Sequence, residues 1–311
     1  MRFNNSSNTR NQQLVWDNQI RLAPSHELSV GIEGLWQTIQ NSGLTPPRAE
    51  RDVAVGRIGY LGRTGDHSLQ LNARAEDYSD FGSASTYYAG YGYDLTQAWR
   101  VTLSSSTAFR APTFIDLYGF GGNPALDPER ARSNEVGVQW AEGGHLVRVV
   151  AFDTKFQDAI TFDPQTFTVR NVRKASVTGV ETSYSGRLLG FELRAALTVQ
   201  DAVEQEPGAQ ELAAIRRAKT YGSFSVFRGF GHLRLGGEVV ASGARPDTDI
   251  QTFARIEDAA YTVVNLMARY DITKNLYVSM RADNVFDEKY ALVHGFNTPP
   301  PGVFVSVGWQ P

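Results

Sequence analysis

Asp247 and Asp249, two apart in ARPDTDIQ, have a spacing at which loop carboxylates can contribute to a Ca²⁺ site. A solvated acidic loop looks the same in sequence, as does the stretch from Glu204 to Glu211, and we adopt that plainer reading for both. His26, His67, His145 and His232 each follow a turn and open an alternating segment, as in GDHSLQL, GGHLVRV and GFGHLRL. A metal site would need them to converge, whereas one histidine per turn spreads them around a rim. The chain has no cysteine, which removes thiolate metal sites, disulfides and cysteine nucleophiles. It also lacks a G-x-S-x-G elbow, a phosphate-binding P-loop, a dinucleotide-binding glycine motif and H-E-x-x-H. The expectation is a protein that is not an enzyme, with no metal and no cofactor.

The elements that hold these residues are strands, because apolar and polar residues alternate at period two in segment after segment. Leu276, Val278, Met280 and Ala282 alternate with Ser279, Arg281 and Asp283; Val303, Val305, Val307 and Trp309 share one face, opposite Phe304, Ser306, Gly308 and Gln310. About fifteen strands are expected, near 10–21, 27–40, 50–63, 67–79, 85–94, 98–109, 132–141, 145–157, 175–186, 190–202, 216–228, 231–242, 259–270, 275–286 and 302–310. Their connections alternate between tight turns, such as Gly143-Gly144, and longer segments, the longest from about Arg110 to Ala131.

The composition of the 311 residues, 41% apolar and 20% charged with a net charge of −3, excludes a disordered or nucleic-acid-coating chain. No run approaches the ~18 apolar residues of a membrane helix. A soluble β-sandwich would show the same alternation. Strand lengths suited to crossing a bilayer at a tilt, the alternation of short and long connections, and Trp36, Trp99, Trp140, Trp309, Tyr184 and Tyr270 near strand ends favour a membrane barrel instead. The start, MRFNNSSNTR, lacks the apolar core of a signal peptide, so either the protein is not exported or Met1 is not the native start.

Two segments carry a family resemblance. Residues 107–136, TAFRAPTFIDLYGFGGNPALDPERARSNEV, resemble the strand, loop and strand of TonB-dependent outer-membrane receptors. The match runs through Phe109, Arg110, Pro112, Leu117, Tyr118, Gly122, Asn123, Pro124, Pro128, Glu129 and Glu135. Residues 282–309 resemble the C-terminal end of the same family, with Asn284, Phe286, Asp287 and Tyr290 in the turn and Trp309 in the last strand. NVRKASVTGVE, 171–181, is similar to a hairpin of the family. LYGFGGNPALDPE and VHGFNTPPPG are most similar to its cobalamin (vitamin B12) receptors.

The resemblance implies an all-β, transmembrane antiparallel barrel with short periplasmic turns and long extracellular loops, in the bacterial outer membrane. It covers only the C-terminal part of a 22-stranded barrel, so residues 1–311 are expected to be a barrel fragment without the plug domain and first strands. The implied function is energised uptake of a scarce bulky ligand, cobalamin first, with a ferric siderophore as the alternative. A non-transporting structural or adhesin-like barrel is a further alternative. The implied partners are outer-membrane lipid, the ligand, and the TonB complex through the plug; nucleic acid is not among them, and the chain is expected to be a monomer. Most motif residues are expected to shape the loop, since Pro112 stops ladder pairing and Gly122, Asn123 and Pro124 suit turns. Tyr118, Phe120, Arg170 and Phe296 are the expected ligand contacts, and Arg281 with Asp283 an expected lumenal ion pair.

Overall fold

The computed structural model describes residues 6–163, 166–205 and 208–310. Met1 and residues 206–207 of the acidic stretch lie outside the described residues. Fifteen strands pair antiparallel in sequence order to make one sheet: β1 (Ser7–Ala23), β2 (His26–Asn41), β3 (Arg48–Thr64), β4 (His67–Tyr78), β5 (Gly82–Asp94), β6 (Trp99–Arg110), β7 (Glu129–Glu142), β8 (His145–Asp163), β9 (Thr168–Leu188), β10 (Phe191–Gln205), β12 (Thr220–Phe230), β13 (Leu233–Ser242), β16 (Tyr261–Asp271), β17 (Leu276–Asp283) and β18 (Gly302–Trp309). Three short strands lie in the connections: β11 (Leu212–Ala213), which pairs with β10, and β14 (Arg245–Thr248) with β15 (Arg255–Asp258), which form a separate hairpin. The one helix among the described residues, α1 (Phe114–Tyr118), lies between β6 and β7. Among the described residues β1 and β18 each pair on one side only, leaving two open edges.

The register turns the period-two pattern into two chemically distinct faces. Val278 lies opposite Tyr270 and Val307, and Met280 opposite Ala268 and Val305. Trp16 meets Ile32, Leu28 meets Tyr60, and Leu103 meets Val136 on the same outward face. Leu14, Trp16, Ile32, Val305, Val307 and Trp309 are all exposed there. The inward face is ionic: the Arg57 guanidinium reaches Asp17 at 2.5 Å and Glu33 at 3.1 Å, and Arg74 joins Glu33 at 3.3 Å. Arg281 pairs with Asp283 at 3.0 Å, as expected. A sheet with an apolar outside and an ionic inside is what a hydrocarbon layer and a wet lumen select.

The aromatics collect near strand ends. Trp99 lies directly opposite Trp140, with Tyr184, Tyr270 and Trp309 on the same outward face and the same end of the sheet. The turn histidines join this belt: His26, His67 and His145 Nδ1 lie 2.7, 2.6 and 2.8 Å from the hydroxyls of Tyr60, Tyr91 and Tyr184. They are spread along the rim, as the sequence implied, and each has a tyrosine for company.

Two expectations need correction. The short–long alternation fails at the long-loop end, where β4 and β5 are joined by residues 79–81 and β8 and β9 by residues 164–167. Residues 158–163 and 168–174, expected as loop, continue the strands. Strand β17 stops at Asp283 and not near 286, because Asn284 and Asp287 adopt φ of 50° and 54°, which breaks the ladder.

Candidate functional site

The long connections gather at one end of the sheet, and the 111–128 segment has its own small core. Pro112 ends β6 and is fully buried. Thr113 then caps α1: its hydroxyl accepts the Asp116 amide (3.1 Å), and Asp116 Oδ2 accepts the Thr113 amide (2.9 Å). Capping leaves one apolar side for burial. Leu117 packs with Leu126 and Val169, while Phe114 packs on Ile39, Leu44 and Ala49; the Tyr118 ring sits against both clusters. Tyr118, expected at the ligand, is therefore half-buried and props the loop.

The motif residues explain the loop's shape. Arg110 and Glu129, opposite each other on β6 and β7, close a two-pronged ion pair, and Glu129 Oε1 also accepts the Ile160 amide at 2.6 Å. Gly121, at φ +67°, offers its carbonyl to the Val169 amide (2.7 Å), docking the β8–β9 tip onto the loop. At Gly122 a side chain would run into the Leu117 and Gly119 backbone. Asn123 donates its amide to Asp116 O (2.9 Å) and accepts the Ala125 amide on Oδ1 (2.9 Å); Pro124 is exposed beside it and Pro128 precedes β7. Asn171, from the third resembling segment, accepts the Asp127 amide at 2.9 Å and so ties the loop to β9. Phe109 packs on Tyr78 and Phe81, with ring centroids 5.7 Å away in each case, and Glu135 faces inward beside Ser104.

What remains outside this packing is aromatic. Phe120 is 79% exposed, Phe167 lies edge-on to Phe162, and both of these are exposed as well. The Arg170 guanidinium pairs with Asp163 at 3.1 Å, on the same β8–β9 hairpin. Phe120, Phe162, Phe167 and Arg170 thus occupy one loop cluster, held together by the Gly121–Val169 hydrogen bond. Phe296, 63% exposed, belongs to a second cluster. There the 284–301 segment and β15 line a pocket of about 680 Å³ with Asp258, Tyr290, His294, Phe296 and Asn297.

The sequence singles out Asp247, Asp249, Tyr290 and Phe296 but neither His294 nor the meeting of these residues in one cluster. Asp247 is fully buried, not solvated: Oδ1 accepts Arg216 Nε (3.0 Å) and the Thr248 amide (2.7 Å), and Oδ2 accepts the His294 amide (2.8 Å). Asp249 caps its own turn through the Thr252 and Gln251 amides, which hold its carboxyl below the usual range. Among the described residues no group of acids and histidines is arranged to hold a metal ion. His294 Nδ1 lies 2.8 Å from Asp258 Oδ1, and this hydrogen bond raises the imidazole pKa, helped by the charges of Asp258 and Asp249. Asn284 is buried, bonding Asn265, Glu288 N and Glu288 O; the Tyr290 ring lies tilted against that of Tyr261, centroids 4.6 Å apart, Asp287 pairs with Lys289 and Phe286 is exposed.

Sequence reasoning also missed Arg51. It is only 5% exposed, pairs with Asp80 at 2.6 Å, donates to Pro112 O at 2.9 Å and lies over the Phe81 and Phe114 rings. No local signal marks it, because its partners are 29 and 61 residues away.

Comparison with known proteins accords with this architecture. Residues 2–285 match the family model described as TonB dependent receptor-like, beta-barrel. The vitamin B12 transporter BtuB of Photobacterium profundum is 25% identical over 308 residues, covering 95% of this chain and 49% of that protein. Among solved structures, the siderophore receptor PirA of Pseudomonas aeruginosa superposes with a TM-score of 0.78 at 18% identity, over 97% of this chain and 55% of that one. The copper transporter OprC superposes with a TM-score of 0.81 at 15% identity, over 98% and 56%. The chain spans about half the length of the relatives it matches. At these identities the solved structures speak for the fold alone. The outward apolar face is the lipid face of an outer-membrane protein, its short turns are periplasmic and its long loops extracellular: the chain belongs to the β-barrel family of TonB-dependent receptors.

Proposed function

We propose that residues 1–311 form the C-terminal barrel part of an outer-membrane receptor that takes up a scarce bulky ligand, with cobalamin the first candidate. The observation that supports cobalamin is sequence similarity to a vitamin B12 transporter over 95% of the chain. In this reading the plug and first strands come from the rest of the receptor, closing against the open edges of β1 and β18, and the TonB complex acts through that plug. Transport needs no covalent chemistry. Phe120 and Phe296 offer exposed rings, Arg170 a cation and Tyr118 the support beneath, which suits a large amphipathic ligand.

A ferric siderophore is the second reading, favoured by the likeness to receptors such as PirA. Equilibrium binding of cobalamin and of ferric siderophores to the full receptor separates the two. Cobalamin binding that weakens about tenfold in Phe120→Ala or Phe296→Ala is expected, the usual effect of truncating an aromatic anchor. Binding of an iron chelate with no cobalamin binding would overturn the assignment and leave the family intact.

A further inference from the structure

On the half of the sheet next to the short turns, the lipid-facing register contains one arginine or lysine among the described residues, Arg228 on β12. Its cross-strand neighbours are Phe191 and Leu235, and Val226 and Phe230 flank it on the same face. Arg63, Arg187, Arg234 and Arg269 at this rim point inward and have carboxylates: Arg63 with Asp94, Arg187 and Arg234 with Glu192, Arg269 with Asp271. Arg228 makes no ion pair and no hydrogen bond among the described residues. Its guanidinium carbon lies 4.6 Å from the Phe191 ring centroid and 5.3 Å from that of Phe230.

A charge in a lipid-facing position is costly in hydrocarbon and tolerated near the interface. Arg228 is two residues from the pair that closes its hairpin, Phe230 and Leu233, just as Trp140 is two residues from the closing pair Glu142 and His145. It therefore lies at the depth of the aromatic belt, where phospholipid phosphates are found. Two rings hold the guanidinium, and its N–H groups have no protein acceptor among the described residues, which suits two-pronged recognition of phosphate oxygens. We propose that Arg228, Phe191 and Phe230 form a binding site for the phosphodiester of a phospholipid in the periplasmic leaflet. Phe224, Val226 and Leu235 would carry its acyl chains. The surrounding apolar wall and the lack of a second cation among the described residues there point to a lipid and not to free phosphate.

The test is native mass spectrometry of the full receptor in detergent micelles, titrated with phosphatidylglycerol and, separately, a phosphate-free diacylglycerol glycolipid. Heat-modifiable gel mobility monitors folding. The expected result is retention of phosphatidylglycerol that falls about tenfold in Arg228→Gln and hardly changes in the inward control Arg234→Gln. Weak glycolipid binding and no displacement by millimolar inorganic phosphate are also expected. Phe191→Ala keeps every charge and reads the same site if Arg228→Gln folds poorly; weakened retention supports the proposal. Unchanged retention in Arg228→Gln or Phe191→Ala, an equal loss in Arg234→Gln, equal glycolipid binding, or displacement by inorganic phosphate would each overturn it.

Discussion

Arg110 and Glu129 face each other across β6 and β7 with Nε–Oε2 and Nη2–Oε1 distances of 2.6 and 2.7 Å, so the residues that bracket the 111–128 loop are also the clasp that closes it. Both are partly solvated, which limits the pair itself to about 1 kcal/mol. Glu129→Gln should cost about that much. Glu129→Ala should cost about 2 kcal/mol, because the Ile160 amide loses its acceptor as well. Folding titrations in lipid vesicles measure both; equal costs would mean that the Ile160 contact is unimportant.

Gly121→Ala should loosen the loop from the β8–β9 tip. The residue sits at φ +67°, and a Cβ there would collide with the Phe167 carbonyl, a backbone atom with little room to move. A loss of about 1–3 kcal/mol is expected, concentrated in this contact. Limited proteolysis at 111–128 and 163–168 reads it: faster cleavage at both segments supports the docking, and unchanged cleavage contradicts it.

The two faces of β18 should respond oppositely to charge. Val305→Arg puts a guanidinium into lipid and should cost about 2–4 kcal/mol near the midplane, whereas Ser306→Arg enters the lumen and should cost less than half of that. Met280→Arg against Ser279→Glu repeats the test on β17, where Met280 lies opposite Val305; glutamate is the suitable lumenal probe because Ser279 lies opposite Arg269. Vesicle folding titrations decide, and equal costs on the two faces would contradict the register.

His294 fastens the 284–301 loop to β15 through the only hydrogen bond to the Asp258 carboxylate among the described residues. Because this bond raises the histidine pKa, its contribution is full below the unfolded value of about 6.5 and is lost as pH rises through the higher folded value. Amide protection across 288–298, taken relative to the intrinsic exchange rate at each pH, should therefore be greater at about pH 6 than at about pH 8.5. In His294→Gln the difference should vanish; a difference that persists there would assign it to another group.

The sequence alone determined the strands and their two faces. A period-two backbone writes its orientation directly into residue order, so Val278 against Ser279 and Val305 against Ser306 were legible without a partner strand. Resemblance to the receptor family marked Arg110, Glu129, Gly122 and Asn284 as motif residues, and turn chemistry gave a reason for the glycine. What those residues touch was decided only by the tertiary structure. Arg51 reaches Asp80 and Pro112, and Asp247 and Asp258 meet His294, across separations of 29 to 61 residues that leave no trace in local pattern. Tyr118 and Phe120, two apart in the sequence, show the same division: both read as loop aromatics, and the packing of α1 against Leu44 and Leu126 turned one into support and left the other at the surface. Side-chain type sets which chemistry a residue offers, but burial is a property of everything else that folds around it.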